Sequence, residues 1–290
     1  MEKVERGYPS GQEEHAAAVA AGERFEFGKN WSRFLTVLDE DRIVKAEESL
    51  RLILDVQDFS GKRFLDVGSG SGLFSLAARR LGAQVYSFDY DPHSIACTNE
   101  LKRRYFPNDN RWIITEGSVL DQNFVGRLGS FDIVYSWGVL HHTGAMWRAL
   151  DGVGQLVAAK GKVCIAIYND QGRASRRWFT IKRIYNRLPI GTKWCVLWPS
   201  FLRLWGPSIV RDVLKGHPWR TWTNYSKDYR GMNPWRDVVD WVGGYPFEVA
   251  KPEEIFHFFR SRGFQLEKLK TCAGGLGCNE YVFEKQMTDV

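Results

Sequence analysis

The sequence predicts an α/β fold, a doubly wound, mostly parallel sheet, and three observations predict it. Short apolar runs alternate with stretches of helical periodicity between residues 41 and 170. A run of glycines stands directly between the first strand-like segment and the helix that follows it. An acidic residue closes the second strand-like segment, at the edge where such sheets take their ligands.

Taken in order, residues 41–56 place Ile43, Ala46, Leu50, Ile53 and Leu54 on one face, which predicts an amphipathic helix. FLDVGSGSGLF (64–74) then reads as a buried strand over 64–67, glycines at 68, 70 and 72, and a helix over 71–81. Next come a strand at 84–88 ending at Asp89, a helix at 92–104, and strands at 111–115 and 131–136. A helix at 145–158 and a strand at 162–168 complete the alternation. PEEIFHFFRSRGF (252–264) predicts a last helix stopped at Gly263, ahead of a closing hairpin. Residues 1–40 are expected to form an N-terminal arm or lid, polar and Ala-rich at first and then aromatic in FEFGKNWSRFL (25–35).

A strand, a glycine turn and a helix let backbone pass close to a ligand, and a carboxylate at the end of the second strand is placed to accept ribose hydroxyls. The expected ligand is therefore a nucleoside. Dinucleotide sites space their glycines G-x-G-x-x-G; here the spacing is G-x-G-x-G, with Asp66 two residues before the first glycine. A carboxylate there repels a pyrophosphate and suits a cationic ligand, which disfavours a nicotinamide cofactor.

Residues 64–74 resemble motif I of the class I S-adenosylmethionine (SAM) methyltransferases. EGSVLD (116–121), FDIVYSWGVLHH (131–142) and the pair FQLEKLKTC (264–272) and NEYVFEK (279–285) are similar to that family's adenine loop, fourth strand and last hairpin. The resemblance covers residues 40–170 and 251–285 and implies a Rossmann-like seven-stranded sheet that binds SAM and releases S-adenosylhomocysteine. It implies a cofactor site of Asp66, Gly68, Ser69, Gly70 and Gly72, with Asp89 on the ribose. Tyr90, Ser118 and Val119 would lie around the adenine, with Ser136 and Trp137 along the fourth strand. Asn30 and Trp31 are placed over the methionine end by position and aromatic content.

A hydroxyl acceptor must lose its proton, and histidine is the usual base near neutral pH. His141 and His142 follow the fourth strand, and Leu140-His141 matches the Leu-His pair of small-molecule O-methyltransferases; either imidazole can instead serve as a backbone partner. The ubiquinone-type enzymes carry Glu-His at this point, and His-His here argues against a metal. Tyr168, ending the fifth strand, is a candidate for orienting the acceptor, whereas Asn169 and Asp170 carry turn chemistry.

Residues 171–250 interrupt the pattern after the fifth strand. Ten Lys/Arg against one acid make 171–216 strongly basic within a chain of net charge +6, and eight of the twelve tryptophans fall in 171–250. The segment predicts a helical cap that recognises the acceptor, a small or lipid-linked metabolite. Its Tyr225, Tyr229 and Arg230 are candidate contacts, and contact with an anionic membrane is a further possibility for it. Nucleic acid is disfavoured because no RNA-binding module is recognisable. Five cysteines without C-x-x-C pairs, and no apolar run near membrane-span length, predict a reduced, cytoplasmic enzyme without a metal. The alternative is a non-catalytic SAM- or nucleotide-binding regulator or scaffold that uses the basic aromatic segment for membrane or partner binding.

Overall fold

The computed structural model describes residues 11–28, 31, 34–228 and 234–287. Helices α1 (Gly11–Ala20) and α2 (Glu40–Leu54) precede strand β1 (Arg63–Val67). There follow α3 (Leu73–Arg80), β2 (Gln84–Asp89), α4 (Pro92–Tyr105), β3 (Trp112–Glu116), α5 (Gln122–Leu128) and β4 (Phe131–Trp137). After a 3-10 turn at Leu140–His142 come α6 (Met146–Gln155) and β5 (Val157–Tyr168). Helices α7 (Arg173–Arg187), α8 (Trp194–Leu214), α9 (Arg220–Asp228) and α10 (Pro234–Gly243) lead to α11 (Pro252–Arg260), β6 (Phe264–Lys270) and β7 (Cys278–Lys285).

The seven strands form one sheet in the order β3-β2-β1-β4-β5-β7-β6, parallel except for β7, which runs antiparallel to both neighbours. Apolar side chains of α2, α3 and α4 (Ile43, Leu50, Leu76, Leu101) cover one face. Those of α5, α6 and α11 (Val125, Leu150, Val153, Phe259) cover the other. With both faces buried, strands β1 and β4 read as near-continuous apolar runs, as parallel strands do. The order reverses between β1 and β4, so the crevice outside their carboxyl ends is where such a sheet takes a ligand.

Two local expectations change. Helix α5 was not predicted, because seven residues with a single buried side chain, Val125, carry no readable period. The apolar residues of 153–158 belong to two elements: α6 stops at Gln155, and β5 begins at Val157, with an irregularity in its pairing to β4 between Phe131 and Ile133.

Residues 173–243 build a third, smaller core from Trp178, Tyr185, Phe201, Trp205, Val238 and Val242, and Phe247 joins it. Tyr168 and Phe25 pack on its edge. The return segment is stitched to the sheet: Ala250 N–H donates to the Tyr168 carbonyl (3.0 Å), and Glu248 N–H donates to that of His141 (2.9 Å). Among the described residues no helix is long and apolar enough to cross a membrane.

Candidate active site

The glycine turn is knitted to the end of β2. Gly68 and Ser69 N–H both donate to the Phe88 carbonyl (2.9 and 3.1 Å), Gly70 N–H donates to the Asp89 carboxylate (2.9 Å), and Gly72 N–H donates to the Ser69 carbonyl (2.8 Å). These donors are therefore spent inside the protein and are not free to cradle a phosphate, the property a pyrophosphate site needs. Gly68, Gly70 and Gly72 all have positive φ (77°, 55° and 80°). At Gly72 a Cβ would also lie 2.8 Å from Thr98 Cα, so only glycine lets α3 start this close to α4. The Ser69 hydroxyl meets that of Thr98 at 3.0 Å.

Two carboxylates face the turn. Asp66, buried on β1, accepts from the Ser75 hydroxyl (2.5 Å), which meets Ser87 (2.7 Å); Trp112 Nε1 donates to Ser87 (2.9 Å). Burial raises the Asp66 carboxyl to about 7, against the opposing Ser75 bond. Burial likewise raises Asp89 to about 6, although it accepts from the Asp91 and Gly70 N–H groups. Each carboxylate is thus short of positive charge, and a ligand bearing cationic groups supplies it.

Residues of the N-terminal arm lie against this crevice. Gly28 N–H donates to Asp91 (2.8 Å), and His15 approaches the same carboxylate at 3.7 Å. The Arg24 guanidinium sits 4.9 Å over the Tyr90 ring, and its Nη1 donates to the His142 carbonyl (3.4 Å). Trp31 lies against the turn: a Cβ on Gly70 would come within 3.1 Å of its Nε1. Asn30 lies outside the described residues. Arg24 and His15 escaped sequence reading because their partners stand dozens of residues away.

The remaining predicted cofactor residues divide. Trp137 is half-buried at the end of β4, against the core on the α2–α4 face. The Ser118 hydroxyl accepts from Leu120 N–H (3.2 Å), and Val119 is buried in the other core. Ser136 is fully buried, and its hydroxyl donates to the Val67 carbonyl (3.0 Å), tying the end of β4 to that of β1.

A second cluster gathers at the carboxyl ends of β4 and β5, beneath α7 and α10. His141 is fully buried, its ring 3.9 Å from that of Tyr168 and 4.5 Å from that of His142. Its Nδ1 lies 3.4 Å from Tyr168 N–H, and its Nε2 has no hydrogen-bond partner among the described residues. Burial, then His142 and Lys182, hold its pKa well below the usual histidine value. His142 is held at about 3, chiefly by burial, and its Nδ1 meets the Pro246 carbonyl at 2.6 Å. Both imidazoles thus meet backbone through Nδ1, and His141 Nε2 is a buried ring nitrogen without a partner among the described residues. Tyr168 is pushed well above the usual tyrosine value by burial.

Asn169 and Asp170 are turn residues: Asn169 accepts from Asn279 (3.1 Å), and Asp170 accepts from Gly172 N–H (2.8 Å). Tyr225 donates its hydroxyl to Asp237, while Tyr229 and Arg230 lie outside the described residues.

Fold and site together define a Rossmann-like protein with a glycine-turn, two-carboxylate crevice of the nucleoside-binding type. A family profile described as a methyltransferase domain matches residues 38–204, more than half of the chain. The chain belongs to this family, the class I SAM-dependent methyltransferases. It is 27% identical over 201 residues to the mitochondrial ubiquinone biosynthesis O-methyltransferase of Schizosaccharomyces pombe, covering 65% of this chain and 70% of that one. It is 47% identical over 82 residues to the ribosomal protein L11 methyltransferase of Helicobacter hepaticus, covering 28% of this chain and 25% of that one. An O-methyltransferase family protein from Burkholderia thailandensis shares the fold, with TM-score 0.51 and 11% identity over 86% of this chain and 58% of that one.

Proposed function

We propose that this enzyme methylates an oxygen of a small or lipid-linked acceptor, with His141 as the general base. The single observation behind this reading is the His141 imidazole: buried just past the carboxyl end of β4, neutral at physiological pH, with an Nε2 that has no partner among the described residues. SAM supplies an activated methyl group on a sulfonium centre. Asp66 and Asp89 bind its cationic and ribose ends, Trp31 and the arm cover it, and Tyr90, Ser118 and Val119 border the adenine. His141 holds the acceptor's proton as the oxygen becomes a nucleophile. The name of the S. pombe relative supports oxygen over nitrogen as the target.

The division of labour we propose puts SAM on residues 41–170 and 251–290, a lid on residues 1–40, and acceptor recognition on residues 171–250. Parallel titration with SAM, S-adenosylhomocysteine and NAD tests the cofactor half. A one-methyl gain in the intact mass of an acceptor tests turnover, and its absence across acceptor classes would favour a scaffold.

A second feature concerns location. Helix α8 exposes Trp194, Trp198, Leu202, Val210 and Leu214 (52–83% exposed), spaced three to four residues apart or in multiples of that, beside exposed Arg203, Arg211 and Lys215. An apolar stripe with cations alongside fits an anionic lipid surface, and we propose peripheral attachment through α8.

A further inference from the structure

Lys182, on α7, is fully buried, no ion pair with it is found among the described residues, and the Asp240 charge opposes the effect of burial on it. Its Nζ donates to the Trp241 carbonyl and lies 4.4 Å from the Trp241 ring, 4.7 Å from that of Phe247 and 5.9 Å from that of Tyr168. An ammonium has three N–H groups, and one carbonyl satisfies one of them. An unpaired buried charge is expensive, so folds seldom keep one without a use.

The neighbouring polar atoms are also unsatisfied. Among the described residues Trp241 Nε1 and His141 Nε2 are both buried without a hydrogen-bond partner, and their two rings lie against Tyr168 at 5.2 and 3.9 Å. Trp241 also meets Trp178 at 5.6 Å, and Trp178 lines a cavity of ≈ 200 Å³ bounded by Gln171, Leu204, Pro207, Leu276 and the exposed Arg203. Lys182, the Trp241 indole and the His141 imidazole therefore surround the Tyr168 ring, and Trp178 links this cluster to a cavity that a second cation, Arg203, helps line.

We infer that Lys182 and Trp241 form an oxyanion site for the methyl acceptor, which carries on a flat ring either a carboxylate or an acidic hydroxyl. The inference rests on the acceptor lying beneath residues 171–250. For an acidic hydroxyl, the acting His141 tautomer carries its own proton on Nδ1, toward the Ala166 backbone; the acceptor's proton passes to Nε2, the oxygen forms the new bond to the methyl carbon, and the C–S bond breaks with its electron pair left on a now neutral sulfur. A carboxylate needs no base, so the two sources differ in their demand on His141. Burial lowers Lys182 to about 7, and an anion beside it restores its charge.

The test uses full-length protein saturated with S-adenosylhomocysteine. The probes are 4-nitrophenol and 4-nitrobenzoate, with 4-nitroanisole and methyl 4-nitrobenzoate as their neutral counterparts. At least one anion is expected to bind about tenfold more tightly than its neutral counterpart, roughly the effect of one charge-assisted contact. Preference for 4-nitrophenol, with its visible phenolate band appearing at lower pH when bound, identifies an acidic hydroxyl; preference for 4-nitrobenzoate identifies a carboxylate. Lys182→Met should abolish the preference while S-adenosylhomocysteine affinity stays within about twofold. Trp241→Phe retains the lysine and a ring but lacks the N–H; it should weaken the anion about threefold to tenfold and serves if Lys182→Met does not fold. Equal binding of anions and neutral counterparts by the wild type, or a preference surviving in both variants, overturns the inference and leaves the methyltransferase reading intact. Failure of S-adenosylhomocysteine to bind would instead sink that reading.

Discussion

At Asp66 and Asp89 the chain holds two carboxylates raised to about 7 and about 6 by burial, facing one crevice. Near pH 6–7 both are partly protonated in the free protein. A cationic ligand favours their ionised forms, so SAM binding should release protons and strengthen as pH rises through that window. Calorimetry in buffers of different ionisation enthalpy measures the release, and S-adenosylhomocysteine, lacking the sulfonium charge, should release fewer protons. Heats independent of buffer for both ligands would remove the carboxylates from the site. Asp89→Ala should weaken SAM by about 1.5–3 kcal/mol, the scale of charge-assisted bonds to the ribose. It also strips Gly70 N–H of its acceptor; a loss under about twofold would refute the ribose assignment. His141→Ala should lower turnover by about 10²–10⁴ with SAM affinity nearly unchanged, because a base acts in the transition state. Equal losses in rate and cofactor affinity would make it pocket wall.

Among elements, the strand–turn–helix unit was readable because its signals are local: period, glycine spacing and a terminal acid fall within residues 64–89. What escaped was set by packing between distant segments. Arg24 and His15 reach Tyr90 and Asp91 across more than sixty positions, and nothing in the composition of the arm announces it. Lys182 is one of the ten basic residues of 171–216, and it stands four residues after Trp178 and three before Tyr185, both buried on the same helical face. That spacing was the available signal. The Ser136 bond to Val67 was equally unreadable, because strand alternation tells which face a side chain takes, not whether a neighbouring strand's carbonyl claims it.

Helix α8 yields the prediction at this scale. Wild-type protein should sediment with vesicles rich in phosphatidylserine, less so as salt rises, since exposed charge is screened. Replacing Arg203, Arg211 and Lys215 with glutamate should reduce that association by at least about 100-fold, at about 1 kcal/mol for each basic group removed. Trp194→Gln with Trp198→Gln should also weaken it, and to an extent that salt does not change. Unaltered sedimentation in both variants would leave α8 a solvated face.

Over the whole molecule, the third core and the sheet meet through a narrow set of contacts: the 244–250 return segment, Tyr168 and the arm. Glu248 accepts from Met146 N–H with both carboxylate oxygens (3.1 and 3.0 Å), so the return segment braces the loop that carries His141 and His142. Excision of residues 173–243 through a short flexible linker, keeping 244–250, should therefore leave the sheet and the histidine loop standing. The aromatic side chains it removes pack chiefly on one another, whereas Ile43, Leu76, Leu150 and Phe259 remain in the two principal cores. The excised protein is expected to bind S-adenosylhomocysteine within about tenfold of wild type and to show no methyl transfer. It should also lose a pH dependence that belongs to Lys182. That lysine binds its proton less tightly folded (about 7) than unfolded (10.5), so the unfolded state holds the extra proton between those values. Wild-type stability consequently rises with pH across that range by up to about 1.4 kcal/mol per unit from this one group. Denaturant unfolding at pH 7.5 and 9.5 should show this rise in the wild type, with the same increment absent from Lys182→Met and from the excised chain. An identical slope in all three proteins would mean that Lys182 is solvated, and that the cluster beneath α7 does not hold an unpaired cation.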